Sequence, residues 1–114
     1  MTSSLLSTDV VVVGAGPAGC TAAETAAELG VNVVLLEEHS VPGLPVFCGE
    51  AVSYETLVAA GLKPEPPIIN QSIRKANVYA PNGKCITISK DYLGYTINRD
   101  VFDGLLADRA VAAG

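Results

Sequence analysis

Six residues near the start of the chain, Gly14-Ala15-Gly16-Pro17-Ala18-Gly19, have the types and spacing of a loop that cradles phosphate. Gly14 permits a tight turn, and Gly16 lets the backbone approach a pyrophosphate with no side chain in the way. Gly19 lets the following helix pack on the preceding strand. The amino end of that helix adds N–H groups without helical partners and a partial positive charge, worth about 0.3–2 kcal/mol to an anion. Glu37 stands 18 residues beyond Gly19, where a carboxylate accepts hydrogen bonds from ribose hydroxyls and repels a 2′-phosphate. This is the chemistry of dinucleotide binding, with NADP disfavoured at this position. The glycine pattern alone is weak; a strand before it, a helix after it and an acid at the next strand's end give it meaning.

Those elements can be read directly. Asp9 to Val13 is a β-branched run with the pattern of a buried parallel strand. A helix follows from about Pro17 to Leu29, with proline in its first turn and Gly30 as its stop. Thr21, Glu24, Thr25 and Glu28 share a polar face on it, and Ala22, Ala23, Ala26 and Ala27 keep its other side small enough to sit close to a sheet. A second buried strand, Asn32 to Leu36, ends at Glu37 and completes a βαβ unit. Beyond it, residues 40–52 read as a Gly/Pro loop, 53–60 as a short helix closed by Gly61, and 63–67 as a proline-rich connector. Ile73 to Ala80 and Lys84 to Ser89 flank Pro81-Asn82-Gly83 as an antiparallel hairpin, and Tyr95 to Asn98 is a further short strand. Asp100 to Ala113 reads as an amphipathic helix with Phe102, Leu105, Leu106 and Val111 as its apolar stripe. The fold class is α/β, a Rossmann-like FAD/NAD(P)-binding domain built on the βαβ unit plus the hairpin.

Composition narrows the function classes. With 49% apolar residues the chain can build a core. A formal net charge of −5, from 7 basic and 12 acidic residues, argues against nucleic acid, which needs a basic surface to displace counterions. The three cysteines, Cys20, Cys48 and Cys85, have no metal-type spacing, so neither a disulfide framework nor a metal site is expected. No apolar stretch reaches the roughly eighteen residues of a membrane span. The first nine residues carry no positive charge ahead of an apolar run, so they do not read as a signal peptide. A cytoplasmic location follows, with association at the cytoplasmic face of a membrane left open.

The fingerprint does not separate FAD from NAD. A loop, a helix and a hairpin follow the βαβ unit where a simple NAD domain would continue with βα repeats, which favours FAD. Read together, Asp9 to Glu37 and Val46-Phe47-Cys48-Gly49-Glu50-Ala51 resemble the geranylgeranyl reductase family, flavoproteins of the p-hydroxybenzoate-hydroxylase type of fold. Pro45 with Cys48-Gly49-Glu50 is the most specific part. Gly94-Tyr95, Asn98-Arg99, Phe102-Asp103, Leu105-Leu106 and the Tyr79 to Gly83 turn also match.

The resemblance implies an FAD-dependent oxidoreductase that saturates carbon–carbon double bonds in the geranylgeranyl (polyprenyl) chains of lipids, closest to the reductases of archaeal-type glycerophospholipids. Hydride would pass from reduced flavin to one alkene carbon and a proton to the other, with NAD(P)H or ferredoxin as external electron donor. It implies that Ala18 and Glu37 hold the ADP half of FAD, that Cys48, Gly49 and Ala51 line its flavin side, and that Arg99 reaches the cofactor from a strand-to-helix junction. Cys48 is the sole candidate for a proton donor, and an ordinary buried thiol is its alternative. Arg99 as a surface charge, Glu50 as a solvated loop residue and His39 as a solvated loop histidine stand beside their site readings. Cys20 and Cys85 read as core or structural. An aromatic monooxygenase of the same fold and an inactive nucleotide-binding fragment are the rival functions.

Members of the family also carry an acidic residue near the pyrophosphate and a separate substrate-enclosing sheet domain, neither of which is found in these 114 residues. Residues 1–114 are therefore expected to be the N-terminal part of an FAD-binding domain with a genuine amino terminus. An unpaired sheet edge and exposed apolar surface should result, with activity left open for the isolated chain.

Overall fold

In the computed structural model, residues 5–114 are described, and they divide into two units. Of the described residues, the first unit comprises 5–46 together with Arg99–Gly114. Its β-branched run forms β1 (Val10–Val13), which leads through the glycine turn into α1 (Pro17–Glu28) and back to β2 (Val33–Leu36). The strands pair in parallel, Val10 opposite Val33 through Val13 opposite Leu36, as the βαβ reading requires. Gly30 ends α1 in the expected way: its N–H bonds the Ala27 carbonyl and that of Val31 bonds Ala26, a Schellman closure.

The second unit, Phe47–Asn98, is built on an antiparallel sheet. It contains β3 (Ala51–Val52), α2 (Tyr54–Ala59), β4 (Ile69–Tyr79) and β5 (Cys85–Ile97), in the sheet order β3-β5-β4. Ser53 caps α2 by accepting the Thr56 N–H at 3.3 Å. The Pro81-Asn82-Gly83 turn closes where expected, with the Ala80 N–H on the Lys84 carbonyl at 2.8 Å. Leu57, Ile68, Tyr95 and Ile97 form the core of this unit. The hairpin is longer than its apolar alternation indicates. β5 runs unbroken through the residues that separated the two expected strands, because residues 90–93 bulge between the pairs Lys75–Ser89 and Ile73–Gly94. β3 arises inside the expected loop, since two residues are too few to carry a pattern.

The last helix, α3 (Arg99–Ala113), belongs to the first unit and lies against α1. Arg109 pairs with Glu24 at 2.8 Å, and Gly114 lies beside Ala27. Nearer their starts, the charge of Asp103 acts on Cys20. Successive contacts rise together in both helices, so α1 and α3 run side by side in the same direction, with their amino ends at one end of the unit.

Four expectations need correction here. Glu24 was expected on a polar face of α1, but its side chain is largely buried against α3 because Arg109 draws it there. The residues of α3 that are buried are Phe102, Asp103, Leu106 and Ala110, whereas Leu105 and Val111 are exposed. At about 100° per residue, Leu105 and Val111 sit more than a quarter-turn from the centre of that strip. The strands expected to be buried are not: Val11 is 54% and Val13 82% exposed. β1 and β2 pair only with each other among the described residues, so the expected unpaired edge and bare apolar surface are both present. Cys85 is also exposed rather than structural, on a hairpin arm whose surface is largely bare. Among the described residues no helix is long and apolar enough to cross a membrane.

The corrected face of α3 can be measured. Leu106→Ala should cost about 2–5 kcal/mol of stability through cavity formation, and Val111→Ala should stay within about 0.5 kcal/mol. Denaturant melts of the two variants check this, and comparable losses would restore the original stripe.

Candidate nucleotide-binding site

The glycine turn lies where β1 gives way to α1. Gly14 adopts φ +98°, a left-handed conformation that strains any other residue, and its N–H bonds the Leu36 carbonyl at 2.7 Å. A Cβ on Gly19 would collide with the Gly14 carbonyl oxygen. These two glycines are thus required by the fold itself. Gly16 is different. Its backbone is extended (φ −76°, ψ 179°), which any residue adopts, and a Cβ built there meets nothing within 4 Å. Nothing inside the unit demands glycine at 16, and the surface there is left clear of a side chain. Gly16 also caps α1 without a side-chain hydrogen bond, and no acid stands in the first turn. The helix end is therefore left open to an anion. Ala18, exposed on that first turn, offers a small side chain.

Beneath the turn, Cys20 is fully buried and its thiol donates to the Ala15 carbonyl at 3.2 Å. Burial raises its pKa most, followed by the nearby charges of Asp103, Glu37 and Glu24, which keeps it a neutral donor. This matches the structural role expected for Cys20.

Glu37 lies immediately after β2 and reaches across to the turn. Its Oε2 accepts the Ala15 N–H at 2.7 Å. Its Oε1 accepts the His39 backbone N–H at 2.9 Å and lies 2.8 Å from His39 Nδ1. These hydrogen bonds, the His39 backbone N–H first, then the Ala15 N–H and the His39 ring, hold its pKa down to about 2. A carboxylate has about four acceptor positions, so capacity remains for a hydroxyl. Glu37 lines an open cleft with Val13, Gly14, Leu36, Glu38 and His39. Glu38 is mostly solvated, as its neighbour's role implies.

Arg99 opens α3 and forms a two-pronged ion pair with Asp103, Nε to Oδ1 at 2.8 Å and Nη2 to Oδ2 at 2.7 Å. The Asp103 side chain is 1% exposed and that of Arg99 24%, so Arg99 is not a freely solvated charge. Gly43 passes directly over the Arg99 carbonyl, where a Cβ would clash, which brings the loop after Glu37 onto the start of α3.

Cys48, Gly49 and Ala51 belong to the second unit, and all three are exposed. The Glu50 N–H points at Cys48 Sγ, 3.3 Å away, and Glu50 itself has φ +57°. Its carbonyl accepts the Ile97 N–H at 2.9 Å, which ties this segment to β5. Cys48 is not the buried thiol of the alternative reading. Among the described residues no group of His, Cys, Asp and Glu gathers as a metal site.

Sequence reasoning thus brought Gly14, Gly16, Gly19 and Glu37 to one place. It missed the Ala15 N–H as Glu37's partner, because a backbone donor leaves no mark in residue type. It left His39 undecided, although a histidine two residues from an acid at a strand end can fold back onto it. It also gave no role to Asp103, whose spacing of four from Arg99 on a helix was the available signal.

The site's geometry, a strand–glycine turn–helix with an acid at the second strand, is that of a Rossmann-like dinucleotide-binding fold. Residues 9–46 match the FAD dependent oxidoreductase family model. The chain is 48% identical over 106 residues to digeranylgeranylglycerophospholipid reductase 2 of Methanopyrus kandleri, covering 93% of this chain and 26% of that protein. To the digeranylgeranylglycerophospholipid reductase of Methanothrix thermoacetophila it is 46% identical over 110 residues, covering 93% and 28%. Among solved structures, a geranylgeranyl bacteriochlorophyll reductase-like protein from Thermoplasma acidophilum superposes with a TM-score of 0.82 at 38% identity, over 94% of this chain and 28% of that one. A myxobacterial FAD-dependent halogenase, at 24% identity and a TM-score of 0.68, shares the fold. Over the part of their length that it spans, the chain is similar in sequence and fold to geranylgeranylglycerophospholipid reductase-like FAD-dependent oxidoreductases. It spans about a quarter of the length of the curated relatives it matches.

Glu37 yields a pH prediction. Its pKa is lower in the folded protein than the roughly 4.3 of a free glutamate, so it contributes stability fully above that value. The contribution is lost as pH falls toward about 2. Thermal melts from pH 5 to pH 2 should show a steeper loss in the native chain than in Glu37→Gln. Parallel curves would mean that the carboxylate is not held as described.

Proposed function

We propose that this chain is the N-terminal part of the FAD-binding domain of a reductase that saturates carbon–carbon double bonds in the polyprenyl chains of lipids. The observation that carries the reading is the 48% identity, over nearly the whole chain, to a digeranylgeranylglycerophospholipid reductase. The chain's own residues fit the cofactor. Gly14, Gly16, Ala18 and Gly19 would hold the pyrophosphate at the amino end of α1, and Glu37 would take the ribose hydroxyls. Arg99 would supply a cation, and Cys48, Gly49 and Ala51 would line the flavin side. The clear space over Gly16 and the uncapped start of α1 support this assignment. When bound, FAD supplies hydride transfer to an alkene carbon; the protein's part is to bind, orient and exclude water. Cys48 is placed in an exposed loop and remains the candidate proton donor. The electron donor is a reduced nicotinamide or a ferredoxin. A polyprenyl lipid would be met at the cytoplasmic face of a membrane, with no spanning segment required.

A chimera tests the reaction. The matched quarter of the Methanopyrus reductase is replaced by residues 5–114 and the product is supplied with reductant and a geranylgeranylated lipid. The expected result is lipid whose mass rises by one pair of hydrogens for each double bond saturated. Oxygen consumption without saturation would assign the monooxygenase class instead, and a folded chimera with neither activity would overturn the reading.

A further inference from the structure

We infer that Asp103 is a positioning residue for the cofactor: from beneath α3 it fixes the Arg99 guanidinium at the end of the first unit where the glycine turn lies, aimed at the diphosphate of a bound dinucleotide. The inference rests on the reading that this unit binds FAD, and it adds a residue to which that reading gives no task.

Three observations carry it. First, Asp103 is the only buried charged residue among those described, with its side chain 1% exposed. A carboxylate is almost never fully buried unless it is paired, and desolvation offsets much of the pair's attraction, so stability alone is a weak account of it. Secondly, the grip is two-pronged and short, Nε–Oδ1 2.8 Å and Nη2–Oδ2 2.7 Å. That geometry fixes the plane of the guanidinium as well as its position. An exposed i, i+4 pair on a helix has no such requirement. Thirdly, α1 and α3 run in the same direction. Glu24 meets Arg109 and Ala27 meets Gly114, while Asp103 acts on Cys20, whose thiol holds the Ala15 carbonyl of the glycine turn. The start of α3, with Arg99 as its first residue, therefore lies at the same end as the glycine turn. Gly43, crossing the Arg99 carbonyl, brings the loop after Glu37 to that end as well. The amino end of α1, whose first turn carries no acid, the open Gly16 surface and an oriented guanidinium then lie at the same end of the unit. Asp100, in the first turn of α3, leaves the guanidinium rather than that helix end as the α3 contribution to anion binding.

Asp103 could act in either direction, which makes the sign of its effect decisive. If it merely neutralises Arg99, removing its charge frees the guanidinium and tightens binding of an anion. If it positions Arg99, removing its charge lets the guanidinium swing away and binding weakens.

The experiment titrates the native chain, Asp103→Asn and Arg99→Met with FAD and with ADP, followed by calorimetry. The native chain is also followed by side-chain NMR of the arginine Nε–H groups. Asp103→Asn should weaken both ligands roughly tenfold, the loss of about one charge-assisted hydrogen bond. Arg99→Met should do the same, and the double variant should be no weaker than either, since both remove one arrangement. In the native chain the Arg99 Nε–H should be resolved and slowly exchanging before ligand is added, and should shift on saturation with ADP. Unchanged or tighter binding by Asp103→Asn, or an Arg99 signal that ignores saturating ligand, overturns the inference while FAD binding itself stands. A native chain that takes up neither ligand fails at the underlying reading instead. Should Asp103→Asn not fold, the Arg99 signal of the native chain decides alone.

Discussion

The first unit depends on how closely α1 approaches the end of β1. That approach exists because Gly19 has no Cβ where the Gly14 carbonyl oxygen passes. With it, the amino end of α1 stands directly after the strand, and the Ala15 N–H is turned toward the end of β2, where Glu37 takes it at 2.7 Å. The same closeness lets Cys20 reach back to the Ala15 carbonyl. A methyl group at position 19 would move the helix, and the turn, the acid and the buried thiol would lose their mutual positions together. The chemistry of the site is therefore a consequence of a packing distance set by an absent side chain.

Within the turn, the glycines divide by the reason each is present. Gly14 answers to backbone conformation and Gly19 to packing, while Gly16 answers to neither. A glycine that the fold does not require leaves its surface clear of a side chain, as the close approach of a pyrophosphate would need. The uncapped start of α1 has the same meaning: a helix end that lacks a side-chain cap keeps its N–H groups for water or for an anion.

Much of this was legible in the residues. The βαβ unit, its parallel register, the Gly30 and Gly61 helix stops and the Pro81-Asn82-Gly83 turn each rest on a local rule, and local rules survive folding. What the residues could not reveal depended on partners distant in sequence. Glu24 sits four residues along a helix from other polar side chains, yet Arg109, 85 positions away, pulls it inward. Leu105 and Val111 read as part of the apolar stripe with Leu106, but where the buried strip lies on α3 depends on how the helix packs against α1, which is distant in sequence. Asp103 reads as an ordinary helix-surface acid until its burial under Arg99 is seen. The valines of β1 show the reverse case: their pattern is that of a strand covered on both faces, whereas Val10, Val11 and Val13 are exposed and β1 pairs with β2 alone among the described residues.

The most direct test of the central claim, that the surface over Gly16 is a pyrophosphate cradle, compares FAD retention by the native chain and by Gly16→Val. Each is incubated with FAD, freed of excess and examined by visible absorption and thermal melting. The expected result is a retained flavin band with altered vibronic structure in the native chain, and none in Gly16→Val. Without flavin the two proteins should both melt as folded chains, Gly16→Val lower only by the modest cost of losing glycine at the helix cap, since the backbone at 16 is extended and a Cβ there meets nothing. Equal retention by both proteins, or a native chain that retains no flavin, would contradict the account.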